Sequence, residues 1–460
     1  MGRVIELTNG SISKTLIKLA LPTIATSFVQ MAYSLTDMVW VGRLSAEAVA
    51  AVGLAGLYTW LAAAVILIAK VGAEVGVAQS IGKGDRREAQ VYIRHSIQLI
   101  VCLAALYALV LIIFRGPLLA FYRVSQQVEQ QASRYLGIVS LGMVFYTVNP
   151  VFTSIFNGAG DSTTPFKVNS VGLILNIMLD PILIFGVGPF PRLETSGAAL
   201  ATVIAQLSVT LIFCYLARHR AELFMGISWL EKPEPAYLWR IVKLGLPVAL
   251  QSALFTTIAM VISRIISQWG DTPIAVQKVG SQIESISWMT ASGFQTAMSA
   301  FVGQNYGARK WDRVVKGYFV GLGLVSAIGI FATFLLILAA RPLFALFIPE
   351  PEAISYGIGY LRILGYSQLA MCVEIVTAGA FIGHGRSFPP AIVSIAFNLL
   401  RIPGALILSS YIGLDGIWWA ITMSSLFKGS VLGIWHLCYL RTNPELAGWR
   451  RQAQADLSAS

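Results

Sequence analysis

The chain has 460 residues, of which 56% are hydrophobic and only 12% charged, and its net charge is +11. Soluble domains run near a quarter charged, so this composition cannot cover a water-facing surface. It excludes a soluble enzyme. The excess of Lys and Arg, lying in loops between apolar runs, points to topology signals and anionic lipid rather than nucleic acid.

A helix needs about 20 apolar residues to cross the hydrocarbon core. Twelve such runs are predicted: 13–40, 47–76, 89–114, 130–153, 164–188, 195–217, 240–267, 274–300, 313–339, 353–379, 388–411 and 416–440. β-Barrel spans would be half as long and alternate in polarity, so the expected fold is an all-α integral membrane protein.

The first run holds Pro22, which has no N–H and so frees the carbonyl of Lys18 to permit a bend. Farther along, Gln30, Tyr33 and Asp37 share one helix face, with Ser34 beside it. A carboxylate inside a membrane helix is a functional hypothesis by default, and such a face is expected to avoid lipid. The fourth run contributes Tyr135, a candidate to line a cavity. In the fifth run Asn176 and Asp180 are one turn apart, and Pro181 frees the carbonyl of Ile177. An amide oxygen, a carboxylate and a free carbonyl on adjacent turns suit a hard cation such as Na⁺, or a proton shared between carboxylates. Asp37, Asn176 and Asp180 are therefore the candidate ligands. The later runs carry Glu284, Glu374, Arg401 and Lys428, expected either to pair internally or to form a second polar site.

Between the sixth and seventh runs, "ARHRAELFMGISWLEKPEPAYLWR" is the longest polar stretch. The expected organisation is an N-lobe at 1–217, a cytoplasmic linker at 218–239, a C-lobe at 240–440 and a cytoplasmic tail at 441–460. Lys and Arg counts in the loops put both termini in the cytoplasm. An internal repeat supports two lobes. "LALP" at 19–22 answers "LGLP" at 244–247, and Pro117, Tyr135 and Pro165 answer Pro342, Tyr360 and Pro390 at the same spacing of 225. Each half has an even number of spans, so the lobes should be related by a pseudo-twofold axis along the membrane normal. The counterparts of Asp37 and Asp180 fall near Ile262 and Ile402, which assigns ion chemistry to the first half.

Enzyme motifs are absent: there is no Walker A, GxSxG or HExxH sequence. His95, His219, His384 and His436 are scattered, toward loops or helix ends, and the four cysteines form no CxxC. No enzyme activity and no cofactor are expected beyond the coupling ion.

"LTNGSISKTLIKLALPTIATSFVQMAYSLTDMVWVGRLSAEAVAAVGLAG" resembles the opening of a MATE (multidrug and toxic compound extrusion) transporter of the DinF-like prokaryotic branch. "GAGDSTTPFKVNSVGLILNIMLDPILIFG" followed by "SGAALATVIAQ" is similar to that family's fourth-to-sixth span region. The resemblance implies a V-shaped pair of six-helix lobes in the cell membrane. It implies export of organic, often cationic, amphipathic drugs in exchange for H⁺ or Na⁺ by alternating access. It also implies that Asp37, Asn176 and Asp180 form the cation site. Gln30, Tyr33, Tyr135 and Thr202 would be its neighbours, and Pro22 the bend that responds to the ion. A monomer without nucleic-acid partners is expected. Two departures stand out: Ser34 where the family often has Asn, and Phe255 where another branch carries Glu. The alternative within the same superfamily is a flippase for lipid-linked oligosaccharides, which would need a cavity rich in intramembrane Arg.

Overall fold

The computed structural model describes residues 7–122, 124–219, 221–229, 231–348 and 350–445. The last fifteen residues of the expected tail, 446–460, lie outside them. Among the described residues every regular element is helical. In chain order come α1 (Ile12–Gly42), α2 (Ala46–Gly82), α3 (Arg86–Ala120), α4 (Gln126–Leu141), α5 (Met143–Gly158), α6 (Thr163–Phe185), α7 (Thr195–His219) and the short α8 (Ala221–Phe224). There follow α9 (Pro235–Ile266), α10 (Asp271–Gly307), α11 (Trp311–Leu338), the short α12 (Ala340–Ala345), α13 (Pro351–Gly365), α14 (Gln368–Gly383), α15 (Phe388–Leu399), α16 (Arg401–Ile412) and α17 (Leu414–Thr442).

Nine described helical segments are long and apolar enough to span a membrane, with α15 and α16 together making one of them. Two bent pairs, α4–α5 at 51° and α13–α14 at 49°, raise the number to eleven. The run at 274–300 falls within α10, which has the length but not the apolarity, because Gln277, Lys278, Gln282 and Glu284 interrupt it. Local sequence sets several helix starts. The Ser45 side chain accepts from the Ala48 N–H, and Asp85 from the Glu88 N–H at 2.9 Å. Between α5 and α6, Gly160 takes φ +86° and the Asp161 carboxylate accepts from the Thr164 N–H and hydroxyl, closing a tight turn.

The helices form two compact units. Unit 1 spans Ala25–Ala249. Unit 2 takes the described residues up to Ile24 and resumes at Leu250. The division falls just past Pro22 in α1 and just past Pro247 in α9, at repeat-related places. Each half thus lends the opening turns of its first helix to the other unit. Close backbone approach holds these turns, as expected where small residues rather than water drive helix association. In unit 1 a Cβ on Gly245 of α9 would sit 2.0 Å from the Ile68 carbonyl oxygen of α2. In unit 2 a Cβ on Gly293 of α10 would sit 3.0 Å from the Ile24 nitrogen of α1. Gly245→Ala is therefore expected to destabilise the protein by about 1–3 kcal/mol through overpacking. Heat-inactivation in detergent checks this, and unchanged stability would show that α9 can shift away from α2.

Polar straps fix the chain ahead of both exchanged helices. In unit 2, Arg313 donates to the Gly10 carbonyl at 2.8 Å and the Leu7 carbonyl at 3.1 Å, and Lys310 to the Thr8 carbonyl at 2.9 Å. In unit 1 the segment before α9 lies along α3. Gln98 donates to the Trp229 and Glu231 carbonyls, each at 2.9 Å, Arg94 pairs with Glu231 and Glu234, and His95 Nε2 accepts from the Glu234 N–H at 2.8 Å. The described part of the linker is thus a docked segment.

Candidate cation site

Four helices of unit 1 supply the site: α1 carries Tyr33 and Asp37, α4 Tyr135, α6 Asn176 and Asp180, and α7 Thr202. Asn176 and Asp180, one turn apart, are fully buried, and the Asn176 amide donates to Asp180 Oδ1 at 3.3 Å. The Asp37 carboxylate, half-buried, stands against Asp180, Asn176 and Thr202. Tyr33 faces Asp37, Thr202, Asp180 and Tyr135, and Tyr135 in turn faces both carboxylates.

Hydrogen-bonding capacity is left unused on both sides. Among the described residues, Asp37 Oδ1, Asp180 Oδ2, Asn176 Oδ1, Thr202 Oγ1 and the Tyr33 hydroxyl are buried and find no hydrogen-bond partner. The groups against Asp37 are carboxylate, amide and hydroxyl, none of them a cation. Two adjacent carboxylates in a poorly solvated site cannot both stay charged unless a proton or a metal cation sits with them. All five orphaned atoms are oxygens, the donor set of a hard cation such as Na⁺. These residues fit either ion.

Gln30 and Ser34 are exposed, and the Ser34 hydroxyl donates locally to the Gln30 carbonyl at 3.4 Å. The shared α1 face therefore divides: Tyr33 and Asp37 enter the cluster, whereas Gln30 and Ser34 are exposed. Pro22 lies within α1, which continues as helix through it. Pro181 lies within α6, one residue after Asp180.

The second-half charges belong to unit 2 and are not part of this cluster. Glu374 pairs with Lys428 at 3.0 Å and accepts from the Ser394 hydroxyl at 2.9 Å. Glu284 accepts from the Tyr360 hydroxyl at 3.2 Å and the Gln368 amide at 2.9 Å. Arg401 donates to Ser424 at 2.9 Å and Ser425 at 3.1 Å and lies 5.8 Å from the Phe255 ring centre. Of the two expectations for these residues, internal pairing describes Glu374, while neutral donors hold Glu284.

Three features were not anticipated. Asn149 on α5 joins α7, donating to Gln206 Oε1 at 2.8 Å and accepting from the Thr210 hydroxyl at 2.8 Å. Polar residues inside apolar runs were the available signal for it. The docking of the linker on α3 left no local signature. His384 and His436, read as scattered, pack against each other with ring centres 5.6 Å apart. Fifty-odd residues and a helix hairpin separate them, so no motif spacing joins them.

Comparison with known proteins follows the same division into halves. A family model described as MatE matches residues 22–182 and again 247–407. The two matches are offset by the 225-residue spacing of the repeat. A probable multidrug resistance protein NorM of Thermotoga maritima is 28% identical over 427 residues, covering 91% of each chain. A FAD transporter of Shewanella oneidensis is 23% identical over 424 residues, covering 92% of this chain and 94% of that one. A solved multidrug resistance MATE transporter of the MOP superfamily, in an outward-facing conformation, superposes with a TM-score of 0.88 at 23% identity, over 96% of this chain and 98% of that one.

Proposed function

Because the chain belongs to the MatE family, we propose that it is a multi-pass membrane exporter of organic, often cationic, amphipathic compounds, driven by inward flow of H⁺ or Na⁺. The observation that carries this reading is the set of five oxygens on α1, α6 and α7, two of them from the Asp37 and Asp180 carboxylates, that find no hydrogen-bond partner among the described residues. A cation or proton bound there draws Asp37 of α1 toward Asp180, Asn176 and Thr202, and so stabilises one arrangement of α1 against α6 and α7. Pro22 lets the helix answer, since its missing N–H leaves a backbone bond unmade. A substrate that favours the other arrangement is then linked reciprocally to the ion: each weakens the other's hold, and the ion gradient drives export. The residues of the site supply binding and a conformational bias, without any covalent chemistry.

The test is dye efflux from proteoliposomes of the purified protein, first under a Na⁺ gradient alone and then under a pH gradient alone. Saturable efflux under one gradient is expected and identifies the coupling ion. Efflux under neither, with the protein folded and inserted, would overturn the exchange mechanism.

One observation favours a second substrate class. Arg401 lies beside Phe255, which is 47% exposed, so a guanidinium and an aromatic face stand together on unit 2. They suit an anionic aromatic compound, and one relative is named a FAD transporter. Flavin counter-flow in the same vesicles distinguishes this reading.

A further inference from the structure

The four helices that supply the cation site converge again at a cavity of about 240 Å³. Ser45 and Glu47 reach it from the turn that follows α1, Gln127 and Gln131 from the start of α4, Glu194 from the loop that follows α6, and Thr195 from the first turn of α7. Thr195 and the linker lie at opposite ends of α7, so the cavity is on the side away from the linker. Helical spacing stacks it on the site. Gln127, Gln131 and Tyr135 recur every four residues along α4, and Thr195 stands seven residues before Thr202 along α7. Residues at these intervals share a face, and seven residues rise about 10 Å.

One apolar layer separates the two. Val41 of α1, Ile184 of α6 and Ala198 of α7 each stand one turn from Asp37, Asp180 and Thr202 respectively, and all three are buried with Tyr135 in a single apolar cluster. The cavity itself is polar. Arg192 on its rim pairs with Glu194 at 3.4 Å, which leaves the Glu47 carboxylate as the net charge. Glu47 stands against the Ser45 hydroxyl, Ser45 caps the Ala48 N–H of α2, and Ser125 caps the Val128 N–H of α4, so these helix starts are already taken up. Gln131 Oε1 is buried and finds no partner among the described residues. Carboxylate and amide oxygens stand above the layer, and Asp37 and Asp180 below it. The whole column therefore has one sign, and such a lining concentrates cations and repels anions.

We propose that this cavity is the mouth through which the exchanged cation, as hydronium or hydrated Na⁺, reaches Asp37 and Asp180, and that Val41, Ile184 and Ala198 are its gate. The proposal rests on the exchange reading above and adds the route to it. The cation gathers, still hydrated, among the Glu47 and Glu194 carboxylates and Gln131 Oε1, then crosses a single layer of side chains. Val41 is one turn from Asp37 on α1. Any shift of α1 that carries Asp37 toward or away from Asp180 therefore moves Val41 as well. Ion entry is thus tied to the same movement of α1 that ion binding favours. The competing approach is the edge of α1 at Gln30 and Ser34, which is exposed.

The experiment follows silver into the site. Ag⁺ carries the same charge as Na⁺ and displaces the proton of a thiol, forming an S–Ag bond and releasing H⁺ to water. Cys102, Cys214, Cys372 and Cys438 are first replaced by Ala, and Thr202→Cys then puts a single thiol in the site. The full chain is held in lipid nanodiscs in nitrate buffer, and the silver adduct is followed by intact-protein mass. Gln131→Trp, which fills the mouth, is expected to slow the reaction at least about tenfold, while Ser34→Trp, on the exposed edge of α1, leaves the rate unchanged. A thiol that never reacts, a rate that Gln131→Trp leaves unchanged, or one that Ser34→Trp slows as much would overturn the proposal. Should Gln131→Trp or Thr202→Cys fail to fold, Gln127→Trp and Asn176→Cys take their places under the same criteria. Neither dye nor gradient enters the measurement. Ion-driven efflux with silver entering elsewhere strikes the route alone, and efflux under neither gradient strikes the exchange alone.

Discussion

Asp37→Asn is expected to abolish ion-driven efflux while the protein still reaches the membrane. The substitution keeps size and one oxygen but removes the charge that, in the proposed exchange, would hold a cation among Asp180, Asn176 and Thr202. If ion and substrate are linked by about 1–3 kcal/mol, the ion's effect on substrate affinity, about 5- to 150-fold, is lost with the charge. Asp180→Asn should do the same, and if the two carboxylates act as one site, as proposed, the double substitution should be little worse than either single one. Drug resistance of a sensitive host and dye efflux from proteoliposomes are the readouts. Wild-type efflux by Asp37→Asn would remove this residue from the coupling.

Glu374→Gln is expected to cost stability rather than coupling. Lys428 is 6% exposed and Glu374 8%, and their ion pair spans α14 and α17. Removing the carboxylate leaves an ammonium buried without its counter-charge, at a cost of about 3–5 kcal/mol. Replacing both partners by methionine should restore most of the loss, since a buried pair is often no better than packed apolar side chains. Heat-inactivation of dye binding in detergent checks both variants. If Glu374→Gln keeps wild-type stability but loses transport, Glu374 belongs to the mechanism and not to the frame.

The helical architecture was legible because a bilayer forces it: a span must be long, apolar and internally hydrogen-bonded. α10 shows the limit of that rule. Its polar residues lower its hydropathy, yet Glu284 is held by Tyr360 and Gln368, partners invisible to any sliding window. In the candidate site, Asn176 and Asp180 could be paired from their spacing on one helix. Thr202, on another helix, entered only through family resemblance. Gln30 and Ser34 were grouped with Tyr33 and Asp37 by angle around α1, but helical phase does not say which edge of a face is covered. The His384–His436 contact and the docking of the linker on α3 depend on tertiary packing, and nothing local announces either.

The exchange of opening turns between α1 and α9 also bears on how the chain can be made. Leu7 donates its N–H to Gln304, 297 residues away, and Ile24 packs on Gly293. The opening turns of α1 therefore wait for α10, nearly 300 residues later, before they find their place. Unit 1 likewise stays open along α2 until α9 has been synthesised, because Gly72 and Ile68 pack against Ile241 and Gly245. Such long-range closure is slow and leaves intermediates exposed, so the two units are expected to finish folding together, late, and only after the second half has been inserted.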